Sequence, residues 1–108
     1  MLNDFLPIGT IVMLKDGKKS VMITGYYPIS VVDDKKVVYD YSGCIFPEGI
    51  LKSNQLGMFN SEQIQSIVYE GFKNEESLDL IEKIKKIDKN ALLQDYNNDS
   101  FEVEKLDY

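Results

Sequence analysis

Residues 39–50 read Tyr-Asp-Tyr-Ser-Gly-Cys-Ile-Phe-Pro-Glu-Gly-Ile and hold the single cysteine of the chain, so any thiol chemistry rests on Cys44 alone. A reactive cysteine needs a base and a positive neighbourhood that favours the thiolate. The nearest charged residues in sequence are Asp40 and Glu48, which disfavour it, and the chain has no histidine to act as the base. Cys44 is therefore expected to be a packed, inert thiol. Two acid pairs, Asp33-Asp34 and Glu75-Glu76, have the composition of a glycosidase pair or a calcium site. Both stand where acids have local reasons to occur, the first in a turn and the second in the opening turn of a helix. Gly17-Lys18-Lys19-Ser20 lacks the Gly-Lys-Ser/Thr ending of a phosphate loop.

What the chain lacks narrows its chemistry further. Without histidine there is no Ser-His or Cys-His nucleophile pair and no imidazole metal ligand. Arginine is also absent, so no bidentate phosphate clamp or guanine reader is available. Positive charge rests on 12 lysines against 18 acids, and the resulting net charge of −6 repels nucleic acid and anionic lipid. One cysteine can build neither an internal disulfide nor a thiolate metal centre. These absences predict a protein that is not an enzyme, holds no cofactor or metal, and binds no nucleic acid. The longest apolar run, Ile11 to Leu14, is far below the roughly 20 residues of a membrane helix. The opening residues lack a basic n-region, so no membrane insertion and a cytoplasmic location are expected, with export beside a partner left open.

The elements that must position these residues divide at about residue 72. Thr10 to Lys15 and Ser20 to Tyr27 are β-branched and aliphatic runs separated by Asp16-Gly17, a hairpin signal. Pro28 bends the second strand, Ile29 to Val32 resumes it, Asp33-Asp34 turns, and Lys36 to Tyr41 returns. The chain then reads as irregular to Met58. Asn60 and Gln63 have capping-box spacing and predict one helical turn before a last strand over Gln65 to Glu70. From Asn74 to Lys89 acids lead, lysines follow, and Leu80, Ile81, Ile84 and Ile87 form an apolar stripe, so a helix is predicted. The fold class is thus α+β: a small antiparallel curled sheet or partly open barrel over residues 10–72, then a C-terminal amphipathic helix and an acidic tail. Residues 1–89 read as one domain, and 90–108 as a tail or partner-docking segment that is an edge strand, a short helix or a disordered stretch.

Several blocks in order resemble a known bacterial family. They are Leu6-Pro7-Ile8-Gly9-Thr10-Ile11-Val12, then Leu14-Lys15, Lys19 with Met22-Ile23-Thr24-Gly25, Tyr39 through Gly49, Phe59-Asn60 and Val68-Tyr69-Glu70-Gly71-Phe72. Together they are similar to the family catalogued as domain of unknown function 4176, small proteins of low-GC Gram-positive bacteria often encoded beside LXG toxins of the type VIIb secretion system. The resemblance implies an accessory or targeting, chaperone-like protein whose partner is an LXG toxin or its helical accessory proteins. It carries no catalytic residues. An immunity protein that neutralises the toxin domain is the alternative.

If a recognition surface exists, aromatic and apolar groups are its natural anchors. Tyr39, Tyr41, Phe46, Pro47 and Glu48 are the candidates in the β portion, and Leu80, Ile84 and Ile87 on the helix, where they occupy i, i+4 and i+7. The sequence leaves the oligomeric state open. Residues 1–54 carry six lysines and six acids, while 55–108 carry six lysines and twelve acids, so the net charge lies wholly in the second half. Because β periodicity is confined upstream, deletion after Asn97 is expected to preserve the circular dichroism spectrum and cooperative unfolding; a non-cooperative melt would assign the tail to the core.

Overall fold

Two tyrosine hydroxyls hold the start of the chain inside the sheet. The backbone N–H of Leu6 donates to Tyr41 Oη at 3.0 Å, and Tyr26 Oη donates to the Leu6 carbonyl at 2.5 Å. Phe5 packs its ring against Tyr26, Tyr27 and Tyr41 with centroids 5.7, 5.3 and 5.4 Å apart, and Tyr41 stacks on Phe59 at 5.5 Å. Leu6, Val12, Ile23, Tyr41 and Phe59 form the core. Burial pushes the Tyr41 hydroxyl up to about 12, although its bond with Leu6 opposes the shift, so it stays protonated. The coordinates are a computed structural model, which describes residues 5–52 and 55–97.

Among the described residues, seven strands lie in two antiparallel sheets. They are β1 (Ile11–Leu14), β2 (Ser20–Tyr26), β3 (Ile29–Val32), β4 (Lys35–Val38), β5 (Tyr41–Ile45), β6 (Gly57–Phe59) and β7 (Ile64–Tyr69). The larger sheet runs β6-β5-β2-β1-β7, and β3 pairs with β4 in the smaller. A flat five-stranded sheet would hold β6 and β7 roughly 19 Å apart. Their link includes a 3₁₀ turn, Ser61–Gln63, whose rise of about 2 Å per residue is too short to cross that distance. The sheet must therefore curl until its edges approach, giving an open barrel. The predicted capping interaction is present, with the Asn60 N–H donating to Gln63 Oε1 at 2.8 Å.

The return expected over Lys36 to Tyr41 is not one strand in one sheet. It divides into β4 and β5, with Tyr39 and Asp40 between them. Tyr26 faces Tyr41 and Ile29 faces Val38, so one register runs through both sheets. Bonds from Tyr39 N–H to the Pro28 carbonyl and from Tyr27 N–H to the Asp40 carbonyl, each 3.0 Å, bridge the gap. The small sheet is thus the tip of a long β ribbon, bent where Tyr27 adopts φ of +52° and Pro28 follows. Asp33 and Asp34 close that tip with φ of 51° and 62°, the twist a two-residue hairpin requires. The stretch after Tyr41 is not irregular at its start: Tyr41–Ile45 is an interior strand, and the turn begins only at Phe46. β6 lies in the stretch read as irregular; three residues are too few to show alternation.

Helix α1 (Glu75–Lys85) is capped by Asn74, whose side chain accepts the Ser77 N–H at 2.9 Å while Ser77 Oγ accepts the Asn74 N–H at 2.9 Å. Its buried positions are Ile81 and Ile84, whereas Leu80 is 48% exposed and Ile87 lies beyond the helix end. The inward face therefore runs through Ser77, Ile81 and Ile84, so two of the four residues of the expected stripe, Ile81 and Ile84, are the buried ones. Helix α2 (Lys89–Asn97) begins after Asp88, whose carboxylate accepts the Asn90 N–H at 3.0 Å. The predicted boundary at residue 90 falls inside α2, and the rest of the acidic tail, 98–108, lies outside the described residues.

Behind β7 the chain passes β1 at Gly71, whose N–H donates to Thr10 Oγ1 at 3.0 Å. A Cβ there would stand 2.5 Å from the Ile8 carbonyl oxygen and 2.8 Å from Thr10 N, whereas at Gly57 the nearest atom would be 3.6 Å away. Gly71→Ala is expected to lower unfolding free energy by about 2–4 kcal/mol through backbone displacement, while Gly57→Ala changes it by less than about 0.5 kcal/mol. Urea titration of the two variants measures both.

Candidate partner-binding surface

β5 and β6 place two glycines directly opposite each other, Gly43 and Gly57. Both line a cleft of 250 Å³ together with Val21, Ile45, Leu56, Met58 and Phe59. Gly43 is closely packed, since a Cβ would meet Val21 Cγ1 at 2.7 Å and Phe59 Cε1 at 3.0 Å, whereas at Gly57 a Cβ would make only an ordinary contact with the Gly43 carbonyl oxygen at 3.6 Å. Ile45, Leu56 and Met58 line the cleft and are exposed. In the adjoining connection Phe46 is 42% and Leu51 74% exposed, with Ile50 also in solvent. Gln55 Oε1 fixes that connection by accepting the N–H groups of Leu51 and Lys52 at 2.9 and 2.8 Å. Large apolar side chains thus converge on one end of the sheet without an intramolecular cover among the described residues, the composition of a protein-binding patch rather than a polar active site.

The residues proposed from sequence are dispersed by the fold. Phe46, Pro47 and Glu48 form an exposed turn beside this cleft, where Glu48 pairs with Lys19 and Gly49 N–H bonds the Ile45 carbonyl at 2.7 Å. The hydrogen bond from the Lys19 ammonium holds the Glu48 carboxyl below its ordinary range. Tyr41, 1% exposed, is a core side chain, and Ile84, at 6%, is buried as well; neither presents itself to a partner in this conformation. Tyr39 is half-buried at the ribbon bend, and Leu80 and Ile87 are exposed near α1. Ile45, Leu51, Leu56 and Met58 were absent from the sequence-derived set because they follow no periodicity. The available signal was compositional, namely large aliphatic residues in a stretch otherwise read as a connection.

Cys44 sits in β5 opposite Met22, 4% exposed, and contributes to the wall of the cleft. Among the described residues no three histidine, cysteine, aspartate or glutamate side chains cluster as a metal site would require. Nor is any helix among them long and apolar enough to cross a membrane. β7 offers a second exposed surface through Val68 and Tyr69. Its pairing with β1 is interrupted by two register shifts, irregularities of the kind that discourage edge-to-edge pairing.

The sequence profile of the family described as Domain of unknown function (DUF4176) matches residues 5–80. The chain belongs to the DUF4176 family. No curated protein and no solved structure matches it. The family match covers both sheets and ends within α1, so it takes in the apolar cleft and stops before α2.

With Cys44 acting as a packing residue in this DUF4176 domain, Cys44→Ser is expected to destabilise the fold by about 1–3 kcal/mol by burying a hydroxyl where a thiol fitted. Native protein should react with a thiol reagent only as fast as the domain opens. Fast labelling of the folded state, with no stability change on substitution, contradicts that role.

Proposed function

We propose that this DUF4176 protein is a non-catalytic accessory that binds an LXG-family toxin in the cytoplasm and targets it for type VIIb secretion. The observation that carries the reading is the apolar end of the sheet, where Ile45, Leu56 and Met58 surround the cleft and Phe46 and Leu51 project beside it. Burying such groups against a partner is the main favourable contribution to association, and clustered anchors concentrate it. A catalytic reading has less support: the chain lacks histidine and arginine, and its acid pairs are accounted for by a turn and a helix start. Family membership supports the choice of partner through the toxin association that the resemblance implies.

Calorimetric titration of the purified full chain with a toxin's LXG region and, separately, its toxin domain tests the proposal. Saturable binding to the LXG region is expected. Leu56→Asp and Met58→Asp should each weaken it about 10-fold or more, the effect of truncating an interface anchor, with unchanged thermal melting. Binding to the toxin domain alone would move the protein to the immunity role. Binding to neither fragment would overturn the accessory reading.

A further inference from the structure

The bent ribbon tip and α2 meet at a charged contact. Asp40 lies at the bend, directly after Tyr39, with its side chain largely buried. Its Oδ2 accepts the Ser61 N–H at 2.8 Å, its own N–H donates to Asn60 Oδ1 at 3.0 Å, and its Oδ1 lies 2.5 Å from Lys89 Nζ. Lys89 is the first residue of α2 and also reaches Asn60 Oδ1 at 3.5 Å. From there α2 packs on β4, and Leu93, one turn on, lines a shallow cleft with Asp34, Lys35 and Lys36 at the far end of the hairpin. The helix therefore spans β4 from the bend to the turn.

A two-stranded hairpin is marginal alone, and so is a nine-residue helix. Each here is the other's support. The β3–β4 tip is joined to the barrel by two strands that bend at Tyr27-Pro28 and Tyr39-Asp40, the arrangement of a hinge. We propose that α2 is a latched brace: the Lys89–Asp40 pair clamps it at the hinge, and breaking that pair frees the ribbon tip to move relative to the barrel and uncovers the face of β4. This goes beyond the binding role proposed above and does not depend on it, since none of Asp40, Asn60, Ser61 and Lys89 lines the apolar cleft and α2 lies outside the family match.

The electrostatics agree with this geometry. Burial favours the neutral form of Asp40, but the hydrogen bond from Lys89, the Ser61 amide and the lysine charge together hold its carboxyl below the ordinary range. It is thus charged at neutral pH and available to the ammonium. Burial raises the Tyr27 and Tyr41 hydroxyls and the charge of Asp40 adds to both shifts, so neither competes as an anion.

Hydrogen exchange followed by mass spectrometry on the full chain, comparing the natural protein with Lys89→Met and Lys89→Arg, tests the latch. Lys89 is partly exposed, so both variants are expected to fold. Lys89→Met should speed exchange of the β3–β4 amides about 10-fold, the size of one lost charge-assisted hydrogen bond, with β1, β2 and β5 unchanged. Lys89→Arg, which keeps the charge and donors, should retain most of the protection. No acceleration in the tip overturns the proposal, as does equal acceleration across the barrel or an arginine variant as fast as the methionine one. Leu93→Asp provides a second arm: it leaves the ion pair in place but disrupts the brace itself, so it too should loosen the tip, and a protected tip in that variant would also overturn the brace.

Discussion

Leu6 has neither of its backbone polar groups satisfied by a strand; each is taken by a tyrosine hydroxyl instead, Tyr41 for its N–H and Tyr26 for its carbonyl. The arrangement decides much else. A buried peptide group left without partners costs about 1–3 kcal/mol for each unmade bond, so Phe5 and Leu6 can enter the barrel only where these hydroxyls wait. Tyr26 and Tyr41 face each other across β2 and β5, so the same pairing that sets the ribbon register also sets the clamp. Phe5 completes it by packing its ring against Tyr26, Tyr27 and Tyr41 beside the bend.

From that anchor the two ends of the ribbon acquire different tasks. Towards the barrel, β2 and β5 form the centre of the five-stranded sheet, and the short link through Ser61–Gln63 curls that sheet. Away from it, the ribbon tip leaves the barrel at Tyr27 and leans on α2. Asp40 connects the two regions because its carboxylate is shared between the 3₁₀ turn and α2. The apolar cleft is built from other residues, around the Gly43–Gly57 pair with Ile45, Leu56 and Met58. The apolar cleft and the Asp40–Lys89 contact are therefore built from different side chains of one small fold.

Much of the architecture was legible before any coordinates. Strand content, the Asp33-Asp34 turn, the Asn60–Gln63 cap and the helix after Asn74 all rest on short-range effects: backbone preference, turn chemistry and end-capping. The segment around Cys44 was harder. It reads as irregular from the sequence, yet Gly43 is a strand residue at which Val21 and Phe59 leave no room for a side chain. The α1 stripe was only narrowed by the fold: Leu80, Ile81, Ile84 and Ile87 are all apolar, and only the surface that the helix packs on selects Ile81 and Ile84.

The sequence by itself determined the class of the fold, the family, and the chemistry that is out of reach without histidine or arginine, because composition and local spacing need no partner to be read. Tertiary structure alone decided that one ribbon serves two sheets, that Asp40 meets Lys89 across 49 positions of chain, and that paired glycines open onto a cleft rimmed by Leu56 and Met58. Those features depend on residues far apart in sequence arriving at one place. No local propensity encodes such a meeting; it follows from register, curl and burial acting together.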